Sequence, residues 1–213
     1  MKNATRITSL LVVALLLFAV PAVAFDYPLS ETAIRDAFLT GNGNRNSELF
    51  VKYVHNFSAP ESGPYIASIR LETPFEQVAQ RGATASNYHT QEAEQEFLGK
   101  RLPFRVSVEI QFTPTYPEFP NRQSNGAYSL LQPISDYQND FQIDVSQDAT
   151  IAPLTTRVYV ASSNLSNTVW GIQGIVIEKE FDPQKIDSSD LTIEVHTPDG
   201  QNVATTFDLS QLR

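Results

Sequence analysis

The sequence predicts a mainly-β protein, an antiparallel β-sandwich that is immunoglobulin-like in a loose sense and carries about three short helices. Three observations predict it. In Pro103–Thr113, PFRVSVEIQFT, the residues Phe104, Val106, Val108, Ile110 and Phe112 alternate with Arg105, Ser107, Glu109, Gln111 and Thr113. A period of two sends the apolar set to one face of a strand and the polar set to the other. One dry and one wet face point to antiparallel rather than parallel sheet. Near the C-terminus, two further alternating runs flank Pro198-Asp199-Gly200. There proline presets φ and glycine accepts a positive one, so the runs read as a hairpin. Finally, eight or nine such short runs recur with turn signals between them, which fits a sandwich, with a closed β-barrel as the alternative.

The N-terminus has the layout of a secretory signal peptide. Lys2 and Arg6 precede the apolar run Leu10–Val20, and Ala22-Val23-Ala24 gives a small-residue cleavage site before Phe25. The uncharged stretch Ile7–Phe25 is also long enough to suit a membrane anchor, but the cleavage site favours removal. Residues 1–24 are therefore expected to be cleaved, leaving 25–213 as a single domain with no spanning segment. The whole chain carries a net charge of −9, and losing Lys2 and Arg6 makes the remainder two charges more negative. That balance argues against nucleic acid and anionic membrane surfaces as partners. The chain has no cysteine. Disulfide staples, thiol catalysis, Cys-ligated zinc and iron–sulfur clusters are thereby excluded. An export route of Gram-negative type, to the periplasm or the outside, suits this composition better than a eukaryotic one, and the Asn56-Phe57-Ser58 and Asn164-Leu165-Ser166 patterns then carry little weight.

From Phe25 onward the elements follow in order. Tyr27–Gly41 reads as a helix with Ser30 as N-cap, Leu29 and Ile34 as a hydrophobic staple and Gly41 as its stop. Glu48–Phe57 and Tyr65–Leu71 read as two strands across the turn cluster Ala59–Pro64, with Leu49, Val51, Tyr53 and Phe57 on one face of the first. Tyr65, Ala67, Ile69 and Leu71 are the expected inward set of the second. Thr73-Pro74-Phe75-Glu76 starts a helix that Gly82 is expected to end, and Ser86 caps another running to about Leu98. This helical insertion, about residues 74–98, is expected at an edge or end of the sheet, because the wet face of Pro103–Thr113 is too polar to carry an apolar layer. After Thr113, the prolines of Pro114–Pro120 forbid sheet interior. Strands are then expected at Phe141–Val145, Thr155–Ala161 and Val169–Glu180, the last with a bulge near Gly171 and Gly174.

The search for chemistry is mostly negative. Gly41 and Gly43 do not complete a dinucleotide fingerprint, and no phosphate loop, nucleophile elbow or His-Glu-x-x-His motif occurs. His55, His89 and His196 are the three histidines, and a Ser–His–Asp site is assembled only in three dimensions. His89, Glu92 and Glu96 could share one side of a helix and hold an ion, but a solvated acidic face explains them more simply. Asp182, Asp187 and Asp190 lack the spacing of a calcium loop and read as a polar turn. Glu109 and Glu194 have no evident way to meet as a glycosidase pair. No metal or other cofactor is therefore expected.

The aromatics are more informative. Tyr116 and Phe119 sit in the proline-rich connection, and Tyr128, Tyr137 and Trp170 accompany them. Such side chains can stack on sugars or anchor a protein partner, although they can also plug the open end of a sandwich. The expectation is an exported, non-enzymatic binding or structural module of the cell envelope or extracellular space. Tyr116, Phe119 and Trp170 are its candidate contacts and a protein its partner. A carbohydrate-binding module and a hydrolase using His55 or His89 are the alternatives.

Overall fold

The computed structural model describes residues 27–43, 50–58, 64–85, 87–111, 121–122, 128–129, 134–161 and 174–212. Among the described residues, three helices, α1 (Glu31–Asn42), α2 (Pro74–Thr84) and α3 (Thr90–Phe97), accompany ten strands. The strands are β1 (Val54–Asn56), β2 (Tyr65–Glu72), β3 (Phe104–Gln111), β4 (Asn121–Arg122), β5 (Tyr128–Ser129), β6 (Gln142–Ser146), β7 (Thr155–Val160), β8 (Gly174–Phe181), β9 (Asp190–His196) and β10 (Asn202–Asp208). Every pairing among them is antiparallel. They form a five-stranded sheet in the order β1-β2-β3-β8-β7, a three-stranded sheet β10-β9-β6 and the small pair β4-β5. The protein is thus mainly β, with antiparallel sheets and three helices. Among the described residues no barrel closes: the larger sheet ends in β1 and β7, and the smaller in β10 and β6. Among the described residues no helix is long and apolar enough to cross a membrane.

β3 is the central strand of the larger sheet, and its burial alternates as its sequence does. Phe104, Val106, Val108 and Ile110 are fully buried; Phe112 lies outside the described residues. They join Ile69 and Leu71 of β2 and Ile175, Ile177 and Phe181 of β8 in one apolar cluster. The same cluster contains Ile143 and Val145 of β6, Leu191, Ile193 and Val195 of β9 and Phe207 of β10. The two sheets therefore share a core. Lys179 occupies an inward register position on β8 between Ile177 and Phe181, and its ammonium donates to the Ile143 carbonyl of β6 at 2.7 Å. Burial pushes the Lys179 pKa down, and Asp144 opposes that shift. The bond supplies a donor to a carbonyl of β6, an edge strand.

β2 departs from the expected alternation. Its register against β3 shifts between Ile66 and Ser68, so Ile66 and Ile69, three apart, are both buried. The extra residue changes the phase. Tyr65 and Ala67, expected inward, are only half-buried, and the Tyr65 hydroxyl donates to Gln111 Oε1 at 2.6 Å. A register shift thus lies in β2, while β8 pairs with β3 without one from Gly174 onward, and Gly171 is outside the described residues. β1 is also shorter than expected. Val51 is 72% exposed, and pairing with β2 begins only at Val54. The expected C-terminal hairpin forms, with Val195 opposite Val203 and Leu191 opposite Phe207. Gly200 at its turn has φ +85°.

The helices carry a second apolar cluster of their own, which includes Leu29, Ile34, Ala37 and Phe38 with Phe75, Val78, Ala93 and Phe97. Ser30 caps α1, its Oγ accepting from the Ala33 amide, and Thr73 caps α2, its Oγ1 accepting from the Glu76 amide. Leu29 and Ile34 share this cluster, as a staple requires. The glycines expected to end these helices lie inside them instead. A methyl on Gly41 would stand 1.8 Å from the Ala79 carbonyl oxygen, and one on Gly82 would stand 2.6 Å from that of Phe38. They mark where α1 and α2 press backbone to backbone. α3 begins after His89 rather than at Ser86, and Leu98 is 56% exposed rather than buried with Ala93 and Phe97. The layer joins the sheet where β2 ends and β3 begins: the Gln77 amide donates to the Pro103 carbonyl at 2.6 Å, and Arg70 of β2 meets Glu76 of α2 at 2.7 Å.

Candidate functional site

The wet face of the larger sheet is a ladder of paired charges. Registers place Glu72, Arg105 and Glu180 in one row, and Arg70, Ser107, Glu178 and Arg157 in the next. Alternating signs across neighbouring strands attract at these spacings. Glu76 meets Arg70 at 2.7 Å, Arg70 meets Glu72 at 3.5 Å and Glu72 meets Arg105 at 3.6 Å. The chain continues through Arg105–Glu180 at 3.2 Å, Arg157–Glu180 at 3.4 Å and Arg157–Glu178 at 3.8 Å. Thr155 Oγ1 and the Tyr159 hydroxyl donate to Glu180 and Glu178. Burial and the Glu178 charge both raise the Tyr159 pKa. Three guanidinium groups, Arg70, Arg105 and Arg157, are thus shared among the four carboxylates Glu72, Glu76, Glu178 and Glu180. The alternation of β3 foretold the polarity of this face; the partners across β2, β8 and β7 needed the register.

Described residues at one end of this sheet border the segments that carry the expected contacts. Tyr116 and Phe119 (residues 112–120) and Trp170 (residues 162–173) lie outside the described residues, as do the side chains of Tyr128 and Tyr137. The described residues that flank them are neighbours. Gln111, the last residue of β3, is the register partner of Gly174, the first of β8. Ala161, at the end of β7, donates its amide to the Gly174 carbonyl at 3.0 Å. Tyr65, which opens β2, is bonded to Gln111. Gln111 and Gly174, the described residues that border these two segments, are thus register partners at the end of the sheet.

The other candidates are dispersed. His55 lies edge-on to Phe207, centroids 4.4 Å apart, in an open pocket of about 320 Å³ that Lys52 and Asp208 also line. Asp208 is committed to the last turn, accepting from the Ser210 amide at 3.0 Å. His89 is exposed, and Glu92 accepts its backbone amide at 2.7 Å. Glu96 accepts from the Tyr88 hydroxyl and stands 3.6 Å from Arg81. The Tyr88 pKa is pushed up to about 12, by burial first and then by Glu96. His196 is 3.9 Å from both Asp144 and Glu194 on the smaller sheet.

Asp182 caps the turn at Gln184. Asp187 accepts from the Ser189 amide and the Gln147 side chain, and the Ser189 bonds hold its pKa down. Glu109 is on the larger sheet and Glu194 on the smaller, so the structure does not bring them together as a catalytic pair. Among the described residues no group of three or more His, Asp or Glu side chains is placed to hold a metal ion. EDTA is therefore expected to leave the melting temperature unchanged, and a clear drop would reveal a bound metal that stabilises the fold.

Sequence reasoning missed Glu76. It was read as the helix-start partner of Thr73, yet its side chain is fully buried, with Oε1 accepting from Arg70 at 2.7 Å and from Gln80 at 3.1 Å. Its pKa is pushed up to about 7 because burial outweighs the Arg70 and Gln80 contacts. No local signal marks it, because the burial comes from β2 and the helix together. No protein-family model matches the chain, and no curated protein or solved structure is significantly similar to it.

Proposed function

We propose that the chain is an exported β-sandwich protein that works by binding rather than by catalysis. Its partner is a protein of the cell envelope or the extracellular space, met through Tyr116, Phe119 and Trp170. The observation that carries this reading is the pairing of Gln111 with Gly174, the described residues that border the two aromatic-bearing segments at one end of the larger sheet. Tyr and Trp side chains are frequent anchors of binding surfaces. The shared apolar cluster of two antiparallel sheets supports the sandwich, and the layout of residues 1–24 supports export. The dispersal of His55, His89 and His196 gives catalysis no comparable support.

The test is affinity capture from the envelope fraction of the source cells with residues 25–213, alongside a variant carrying Tyr116→Ala, Phe119→Ala and Trp170→Ala. The reading expects a protein that the parent retains and the variant loses, with the melting temperature of the two within a few degrees. Retention of an oligosaccharide in place of a protein would favour the carbohydrate-binding alternative. A partner held equally well by the variant would refute the assignment of these three residues.

A further inference from the structure

We propose that Glu76 is a proton-operated latch: neutral, it lets α2 dock on β2, and its ionisation loosens the helical layer from the sheet. The latch sits at the junction of two separate apolar clusters, one shared by the sheets and one confined to the helices. Its carboxyl is fully buried, and Oε2 has no hydrogen-bond partner. Arg70 is the cation bonded to it. Arg70 gives Nη2 to Glu76, while its Nε lies 3.5 Å from Glu72 and makes no hydrogen bond. The two carboxylates thus share one guanidinium at this point, and Arg105 attends Glu72 and Glu180 from the β3 side. Gln80, one turn along α2, adds a neutral donor. On the other helices Arg35 is engaged with Glu31 and Glu94, and Glu96 with Tyr88 and Arg81.

A buried carboxylate with a divided counter-ion and one unpaired oxygen is costly, and protonation removes the charge. The folded carboxyl titrates near 7 against 4.5 for its ordinary value, so the docked form binds the proton more tightly than the loosened form. Docking is then firmest at and below about pH 4.5 as far as this group is concerned. It weakens as pH rises through about 7, and levels off above that. Around neutrality the helical layer can open without unfolding the sheets, because its apolar cluster is its own.

The experiment is amide hydrogen exchange of α2 at pH 5 and pH 8, corrected for the intrinsic pH dependence, in the wild type and in Glu76→Gln. The latch predicts that wild-type α2 loses protection by up to two orders of magnitude between the two values while β3 changes little. Glu76→Gln, which keeps the shape and cannot ionise, should be nearly flat. A wild type with pH-independent α2 protection, or a Gln variant that keeps the full change, overturns the proposal. Should the variant misfold, the carboxyl-carbon NMR titration of Glu76 in the wild type decides: a midpoint near 7 supports the latch, and one below 5 refutes it.

Discussion

Ile110→Asp is expected to abolish cooperative unfolding. Ile110 is fully buried on the central strand, opposite Ile66 on one side and Ile175 on the other. The substitution removes an apolar side chain worth about 1.5–3 kcal/mol of burial and places a carboxylate where nothing pairs with it. Removing one partner of a buried ion pair, which likewise leaves a lone buried charge, costs about 3–5 kcal/mol. The two losses together rival the whole stability of an ordinary domain, about 5–15 kcal/mol. Glu109→Gln, one residue away on the wet face, should unfold as the wild type does within about 1 kcal/mol. Thermal melts followed by far-UV circular dichroism read both. A sigmoidal transition for Ile110→Asp at the wild-type temperature would mean that the register of β3 is wrong.

Gly41→Ala is expected to destabilise the protein, against the trend for helices. Alanine inside a helix ordinarily gains about 1 kcal/mol over glycine. Here the added methyl would lie 1.8 Å from the Ala79 carbonyl oxygen, and the obstacle is backbone that cannot swing aside. α1 and α2 must separate, which opens the helical cluster around Phe38, Phe75 and Val78. Overpacking of this kind costs about 1–3 kcal/mol and at times more, so the clash wins and the net loss should reach about 2 kcal/mol. Gly82→Ala, 2.6 Å from the Phe38 carbonyl, should behave in the same direction. Chemical denaturation measures both, with Asn42→Ala, an exposed position on α1, as the reference for propensity alone.

The contrast between β3 and these glycines shows which parts of the fold the chain displays locally. The alternation of Phe104 to Ile110 is complete within eight residues, so it could be read without knowing any partner. The same holds for the Ser30 and Thr73 caps and for the Pro198–Gly200 turn. Gly41 and Gly82 carry the ordinary sign of a helix stop, and only the presence of the other helix turns them into contact points. Tyr65 and Ile66 exchange faces because of a bulge, and one residue of register is invisible in the composition of a strand. Glu76 is buried by contributions from α2 and β2 that no window around residue 76 contains. The ion-pair ladder was half legible, since the wet faces could be assigned but not the neighbours across them. Tyr116, Phe119 and Trp170 are candidate contacts on the strength of side-chain type and of the proline-rich connection that holds the first two. The structure adds that Gln111 and Gly174 stand opposite each other.

Residue-resolved hydrogen exchange of the wild-type protein tests the central claim, that two sheets fold as one unit around β3. The account predicts that the paired amides of β3, β8 and β9 exchange slowest and with a common free energy, because their inward side chains share one cluster. Amides of the edge strand β1 and of the helical layer should exchange through smaller openings. Slow exchange in β3 and β8 with β9 released separately at much lower free energy would contradict the shared core, as would β3 amides that exchange as readily as those of β1.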